Sequence, residues 1–149
     1  DRGKIVCEPS YRLPSAIHPT SSTAIYVKSR CEAEEGMNEL EQELVKRLTA
    51  IPNVLWWHRN IARHGFAING YFNHYPDIMI MTQSGKIILA ETKGDHLKND
   101  DSQEKIELGA AWRNAAGNRY RYYMVFQDEE NLPHGAVSMG QFLETVEAL

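Results

Sequence analysis

Cysteine is nearly missing from this chain. Cys7 and Cys31 are the only two in 149 residues, too few for the disulfide framework of a small secreted domain. A reducing, cytoplasmic home is therefore expected. Long apolar runs are missing too: none approaches the roughly 18 residues of a membrane span. The opening DRGKIVCEPS lacks the apolar centre of a secretory signal. It begins on Asp1 rather than Met, so the chain is expected to be a piece of a longer protein. No GxxxxGK[ST] phosphate loop occurs, which leaves no basis for an ATPase function in these residues. No GxSxG elbow occurs, and both cysteines lie in poorly patterned segments, so serine or cysteine nucleophiles lack a scaffold. His58 and His64 in HRNIARH have no Cys or acidic partners in zinc-site order. Positive charge is short as well. Sixteen Lys and Arg face 20 Asp and Glu, a net charge of −4, whereas phosphate neutralisation supplies most non-specific nucleic-acid affinity.

What remains is an ordinary globular composition, 42% apolar and 24% charged, in a chain long enough for one domain with a core. Residues 1 to about 30 carry Pro9, Pro14, Pro19 and the polar run TSST, and read as an extended arm or linker with a short strand at 24–28. The domain proper is expected at 31–149. Met37, Leu40, Leu44, Leu48 and Ile51 recur at helical spacing over about 38–50, and Pro52-Asn53 stops that helix. NVLWWHRNIA (53–62) and FAINGYF (66–72), separated by a His64-Gly65 turn, read as strands. Of the adjacent Trp56 and Trp57, one should pack and the other face a rim. Two more strands are expected at 76–82 and 86–92. After a polar loop at 94–102, Ser102 should cap a helix over 103–116 that Gly117 ends. A strand at 120–126 and a helix at 139–148 capped by Ser138 complete the order. This is an α/β or α+β pattern: a mixed sheet with helices on its faces. IMIM and IILA are apolar without alternation, as strands covered on both sides are.

The stretch YPDIMIMTQSGKIILAETKG then poses a physical problem. A three-residue loop with Gly85 in the left-handed position fits the turn and sets Asp77 opposite Glu91. A two-residue loop would set it opposite Thr92. Facing Cβ atoms lie roughly 4.5–5.5 Å apart, and like charges placed so destabilise a pair. A divalent cation removes the conflict, since Mg²⁺ takes carboxylate oxygens together with water and phosphate. The Thr92 carbonyl could add an oxygen, and Lys93, on the face of Glu91, could hold a water or a phosphate. On the first helix Glu41 falls at about 100° from Leu40, within the apolar arc. A buried acid needs a partner, and either a shared cation or Lys93 would serve. This is the composition of metal-assisted phosphodiester hydrolysis.

The Pro76-Asp77…Glu91-Thr92-Lys93 arrangement resembles the PD-(D/E)xK nuclease superfamily. Together NVLWWHRN, FAINGYFNHYPDIMI and IILAETKGDHL look like the C-terminal endonuclease domain of type III restriction subunits and related DEAD/DEAH helicase–nuclease proteins, over about residues 37–126. The resemblance implies a restriction-endonuclease-like core and a DNA endonuclease using Mg²⁺ or Mn²⁺. Asp77 and Glu91 would be metal ligands, Lys93 the catalytic lysine and Glu41 the helix glutamate. It also implies an upstream helicase or translocase, which the arm would join.

Candidate phosphate contacts are His58, Arg59, Lys98 and Lys105, with Arg119 and Arg121 behind them; Lys105 sits early enough on its helix to reach the site. Two other readings use the same residues. One is a non-catalytic module docking DNA or a motor, with Glu91 and Lys93 merely an ion pair. The other is a structure-specific repair or recombination nuclease.

Overall fold

Asn38 starts the first helix. Its side-chain oxygen accepts from the Glu41 backbone N–H at 2.8 Å, satisfying a donor that a helix start leaves open. In the computed structural model, which describes residues 37–60, 66–69, 72–94 and 100–149, this helix (α1) spans Glu39–Thr49. It buries Leu44, Val45 and Leu48 completely. The expected arm at 1–30, its strand at 24–28, the His64-Gly65 turn and Lys98 lie outside the described residues.

Five strands form the main sheet: β1 (Val54–Arg59), β4 (Ile78–Thr82), β5 (Ile87–Lys93), β6 (Tyr120–Phe126) and β7 (Val137–Ser138), in the spatial order β1-β4-β5-β6-β7. The first three pair antiparallel and the last three parallel, so the sheet is mixed, as expected. Two short strands, β2 (Ile68–Asn69) and β3 (Asn73–His74), make a separate ribbon. Helix α2 (Asp100–Ala116) joins β5 to β6, and α3 (Met139–Ala148) follows β7. α2 packs on one face against Met79, Leu89, Tyr122 and Met124. α1 and α3 cover the other, over Trp57, Ile80, Ile88 and Val125. The central β4 and β5 therefore have no solvent side, which is why their sequences do not alternate.

The hairpin register follows from its turn. Gly85 adopts φ 87°, and Thr82 N–H donates to the Lys86 carbonyl at 2.9 Å. Pairing then runs from Met81↔Ile87 to Ile78↔Ala90. One step further faces Asp77 with Glu91, the register that the glycine position predicts.

Four local features differ from, or add to, the sequence reading. In β1 a bulge between Val54 and Trp56 turns Leu55 out to 47% exposure. The alternation restarts there, so Val54 and Trp57 share the α1 face. Within FAINGYF, Ile68–Asn69 do form a strand, β2, but it pairs with β3 outside the main sheet. Asn60 bonds both backbone groups of Phe66 at 2.7 Å, which occupies the groups a ladder would need. Ser102 is not a cap: α2 begins at Asp100. Ser102 lies four residues before Ile106, on the stripe that Gly109 and Trp112 continue, and is itself buried. A two-residue β7 precedes α3, and Ser138 does cap α3, with Gln141 completing a capping box.

Candidate functional site

Asp77 is fixed from both sides of its backbone. Asn60 N–H donates to the Asp77 carbonyl at 2.7 Å, and Asn60 Nδ2 donates to the Pro76 carbonyl at 2.8 Å. The Asp77 carboxylate is held in turn by the end of β5. Its Oδ2 accepts from Thr92 N at 2.8 Å and from Thr92 Oγ1 at 3.0 Å. Through its N–H and hydroxyl Thr92 orients Asp77, a role separate from the carbonyl ligand expected of it.

Glu91 belongs to the α2 face, in step with Leu89. It is 4% exposed. Its Oε2 lies 3.8 Å from Lys93 Nζ and 3.7 Å from Lys105 Nζ, while Oε1 is buried without a hydrogen-bond partner. Burial, then the charge of Asp77, raises the Glu91 carboxyl well above the ordinary range. Lys93 and Lys105 offset only part of this. Asp77 is close enough that a proton on Glu91 would be hydrogen-bonded between the two carboxyls. The crowding that the register predicts is present.

Glu41 approaches from α1. It is buried, as its place in the apolar arc requires, and its carboxyl is pushed up to about 7, by burial first and the charge of Asp77 second. Asn38 Nδ2 donates to Oε1 at 3.0 Å. Oε2 lacks a hydrogen bond, with Arg59 Nε at 4.0 Å. The carboxylate beside Lys93 is Glu91, so the expectation that Glu41 anchors Lys93 is corrected.

Two neighbours were not anticipated. His74 Nε2 and the Tyr122 hydroxyl lie 2.7 Å apart in the core beneath α2. Burial, then the positive charges of Lys105 and Lys93, lowers His74 to about 3, so its ring is neutral at pH 7. Burial, then Glu91 and Asp77, raises the Tyr122 hydroxyl well above its usual value. Asn60 is the other missed residue. In sequence it is one asparagine near the end of the strand expected at 53–62, and only the fold shows that it ties Phe66, Pro76 and Asp77 together. The aromatic content of YRYYMVF gave no sign of which tyrosine would meet a histidine.

Not every expected phosphate contact is placed for that role. Lys105 reaches the acid pair and Arg59 borders Glu41. His58 is 2% exposed, so its ring is not presented to a polymer. Arg119 Nε donates to the Gly85 carbonyl at 3.0 Å, and Arg121 bonds the carbonyls of Asn118 and Tyr120. Both sit by the hairpin turn, at the opposite end of β4 and β5 from Asp77 and Glu91.

An oxygen-seeking cation suits this donor set. Buried carboxylates crowd one another, and two of their oxygens, Glu91 Oε1 and Glu41 Oε2, have no donor. Among the described residues, no three His, Cys, Asp or Glu side chains converge on one point as a finished cage. Asp77 and Glu91 would supply the protein ligands, with water and phosphate as the remaining ones. A cleft of about 350 Å³ between α1 and the start of α3, lined by Glu39, Glu43, Arg47 and Gly140 among others, contains none of these groups. No helix among the described residues is long and apolar enough to cross a membrane. No family model, curated protein or solved structure matches the chain.

Proposed function

We propose that this chain is a Mg²⁺- or Mn²⁺-dependent DNA endonuclease domain with a restriction-endonuclease-like core, the nuclease module of a restriction-type helicase–nuclease. One observation carries the reading. Asp77 and Glu91, brought together by the hairpin register, crowd each other at one end of the central strands, with a buried Glu91 oxygen unsatisfied and two lysines alongside. A structural ion pair would need one acid and one base. A second carboxylate, the half-buried Asp77 beside the buried Glu91, raises the free energy of the cation-free fold.

Asp77 and Glu91 would hold the ion, with Thr92 fixing the rotamer of Asp77. A bound divalent cation supplies a water of lowered pKa and offsets charge on the phosphoryl oxygens. Lys93 positions that water or donates to the oxyanion. Glu41 contributes a further acid through water. Asp77→Ala, Glu91→Ala and Lys93→Ala should each abolish cleavage of duplex DNA in Mg²⁺ while far-UV circular dichroism stays unchanged. Normal cutting by any one of them ends the assignment.

The same fold can be read as a non-catalytic docking module, and the lack of a three-ligand cage among the described residues favours that alternative. Calorimetric titration with Mn²⁺ separates the two. The nuclease reading requires saturable binding that Asp77→Ala removes. A panel of linear duplex, flap and four-way junction then distinguishes a general nuclease from a structure-specific repair enzyme.

A further inference from the structure

Two ammonium groups share one carboxylate oxygen. Lys93, from β5, and Lys105, from the second turn of α2, lie 3.8 and 3.7 Å from Glu91 Oε2. Neither distance is short enough for a good hydrogen bond, so both lysines are held by charge and are free to redirect. Lys93 is expected in the nuclease reading. Lys105 lies 12 positions further along the chain, on another element. It is 22% exposed, and its other partner is Asp101 at 3.5 Å, a 65% exposed residue of the same helix. An exposed pair at i,i+4 spacing is weak, so Glu91 is the main restraint on Lys105.

We propose that Lys105 is a second phosphate-binding residue of this site, restrained by Glu91 until Glu91 is committed to a divalent cation. This rests on the nuclease reading above and deepens it. The local charge makes the case. With all three acids ionised, Asp77, Glu91 and Asp101 against Lys93 and Lys105 sum to one negative charge, and even a proton on Glu91 brings the sum only to zero, so the cation-free site offers a phosphodiester no net attraction. With a divalent ion held by Asp77 and Glu91, the sum becomes one positive charge. Lys93 and Lys105 then have no shared counter-ion and can turn toward phosphate oxygens. The order of binding follows: ion first, nucleic acid second.

The test is fluorescence anisotropy with a labelled DNA duplex, using Ca²⁺ as a cation that leaves the DNA intact, against a chelator. Mn²⁺ calorimetry on the same proteins accompanies it. The unaltered chain should bind DNA at least tenfold more tightly in Ca²⁺. Lys105→Met should lose most of that increment and lower the salt slope by about one, while binding Mn²⁺ at least as tightly, since a competing ammonium is gone. Lys105→Arg should retain the increment. Asp101→Asn, a change at an exposed position that should not affect folding, should strengthen DNA binding in Ca²⁺ severalfold. A full increment in Lys105→Met, or no gain in Asp101→Asn, overturns the role of Lys105 and leaves the nuclease reading standing. Absence of Mn²⁺ binding by the unaltered chain overturns both.

Discussion

At the scale of single residues, the acids of this site are held in a state they would not choose in water. Glu41 is raised to about 7 from 4.5, so the folded chain keeps that proton to higher pH than the unfolded chain does. The resulting stability is fully present below about pH 4.5 and is lost as pH rises through 7. Glu91 acts in the same direction. His74 acts in the other: lowered to about 3, it contributes stability above pH 6.5 that is lost as pH falls toward 3. The raw pH profile therefore mixes opposed effects, and comparison with Glu41→Gln isolates Glu41. Urea unfolding with a chelator present should show the unaltered chain losing stability relative to Glu41→Gln between pH 5 and 8. Parallel profiles would mean that Glu41 is not buried as described. Thr92 offers a second residue-scale test. Thr92→Val keeps the shape and the backbone donor but removes the hydroxyl bond to Asp77. It should cost about 1.5–3 kcal/mol, the range for a bond to a charged group. Cleavage should fall with it, as Asp77 loses half of its orientation. An unchanged rate would show that Asp77 needs no such support.

At the scale of elements, the position of Lys105 depends on how closely α2 approaches the sheet. Gly109 permits that approach: a Cβ there would lie 2.2–2.5 Å from ring atoms of Tyr122, whose hydroxyl meets His74. Helix propensity alone would make Gly109→Ala stabilising by about 1 kcal/mol. Overpacking of a ring that cannot move aside costs about 1–3 kcal/mol. The net change should be destabilising in urea unfolding, and a stabilised variant would show that α2 stands off the sheet. The same elements show what the sequence made legible. α1, the β4–β5 hairpin, β6 and α3 followed from local signals: apolar period, Gly85, the Tyr120–Phe126 run and the Ser138 cap. The register that faces Asp77 with Glu91 came from one glycine. What was missed or misread depended on distant partners. Leu55 bulges because Thr82 and Met81 set the pairing on β4. Ser102 resembles a cap until Ile106, Gly109 and Trp112 place it on a buried stripe. Asn60 and Tyr122 act through residues 16 and 48 positions away, which no window of periodicity spans.

For the molecule as a whole, the cation-free fold should be less stable than its packing allows. Two helical layers cover a sheet whose central strands are largely buried, yet Asp77 and Glu91 crowd each other at one end of it, Glu41 feels the charge of Asp77, and two carboxylate oxygens have no hydrogen-bond partner. Burial of like charges with incomplete hydrogen bonding is a recognised source of destabilisation, and sites built for function commonly carry that kind of strain. Asp77→Asn separates the packing from the charge. The asparagine carbonyl can still accept both Thr92 bonds, but the repulsion felt by Glu41 and Glu91 disappears. In chelator at pH 8 this variant should melt several degrees above the unaltered chain. Adding Mn²⁺ should then reverse the order. A ligand at a hundredfold excess over its Kd stabilises the folded state by about 2.7 kcal/mol, and only the chain with both acids can use it. Thermal unfolding of the two proteins, with and without Mn²⁺, therefore predicts crossed rather than parallel responses. Equal Mn²⁺ shifts in both would place the ion elsewhere, and a lower melting point for Asp77→Asn in chelator would make Asp77 a structural acid whose charge the fold needs.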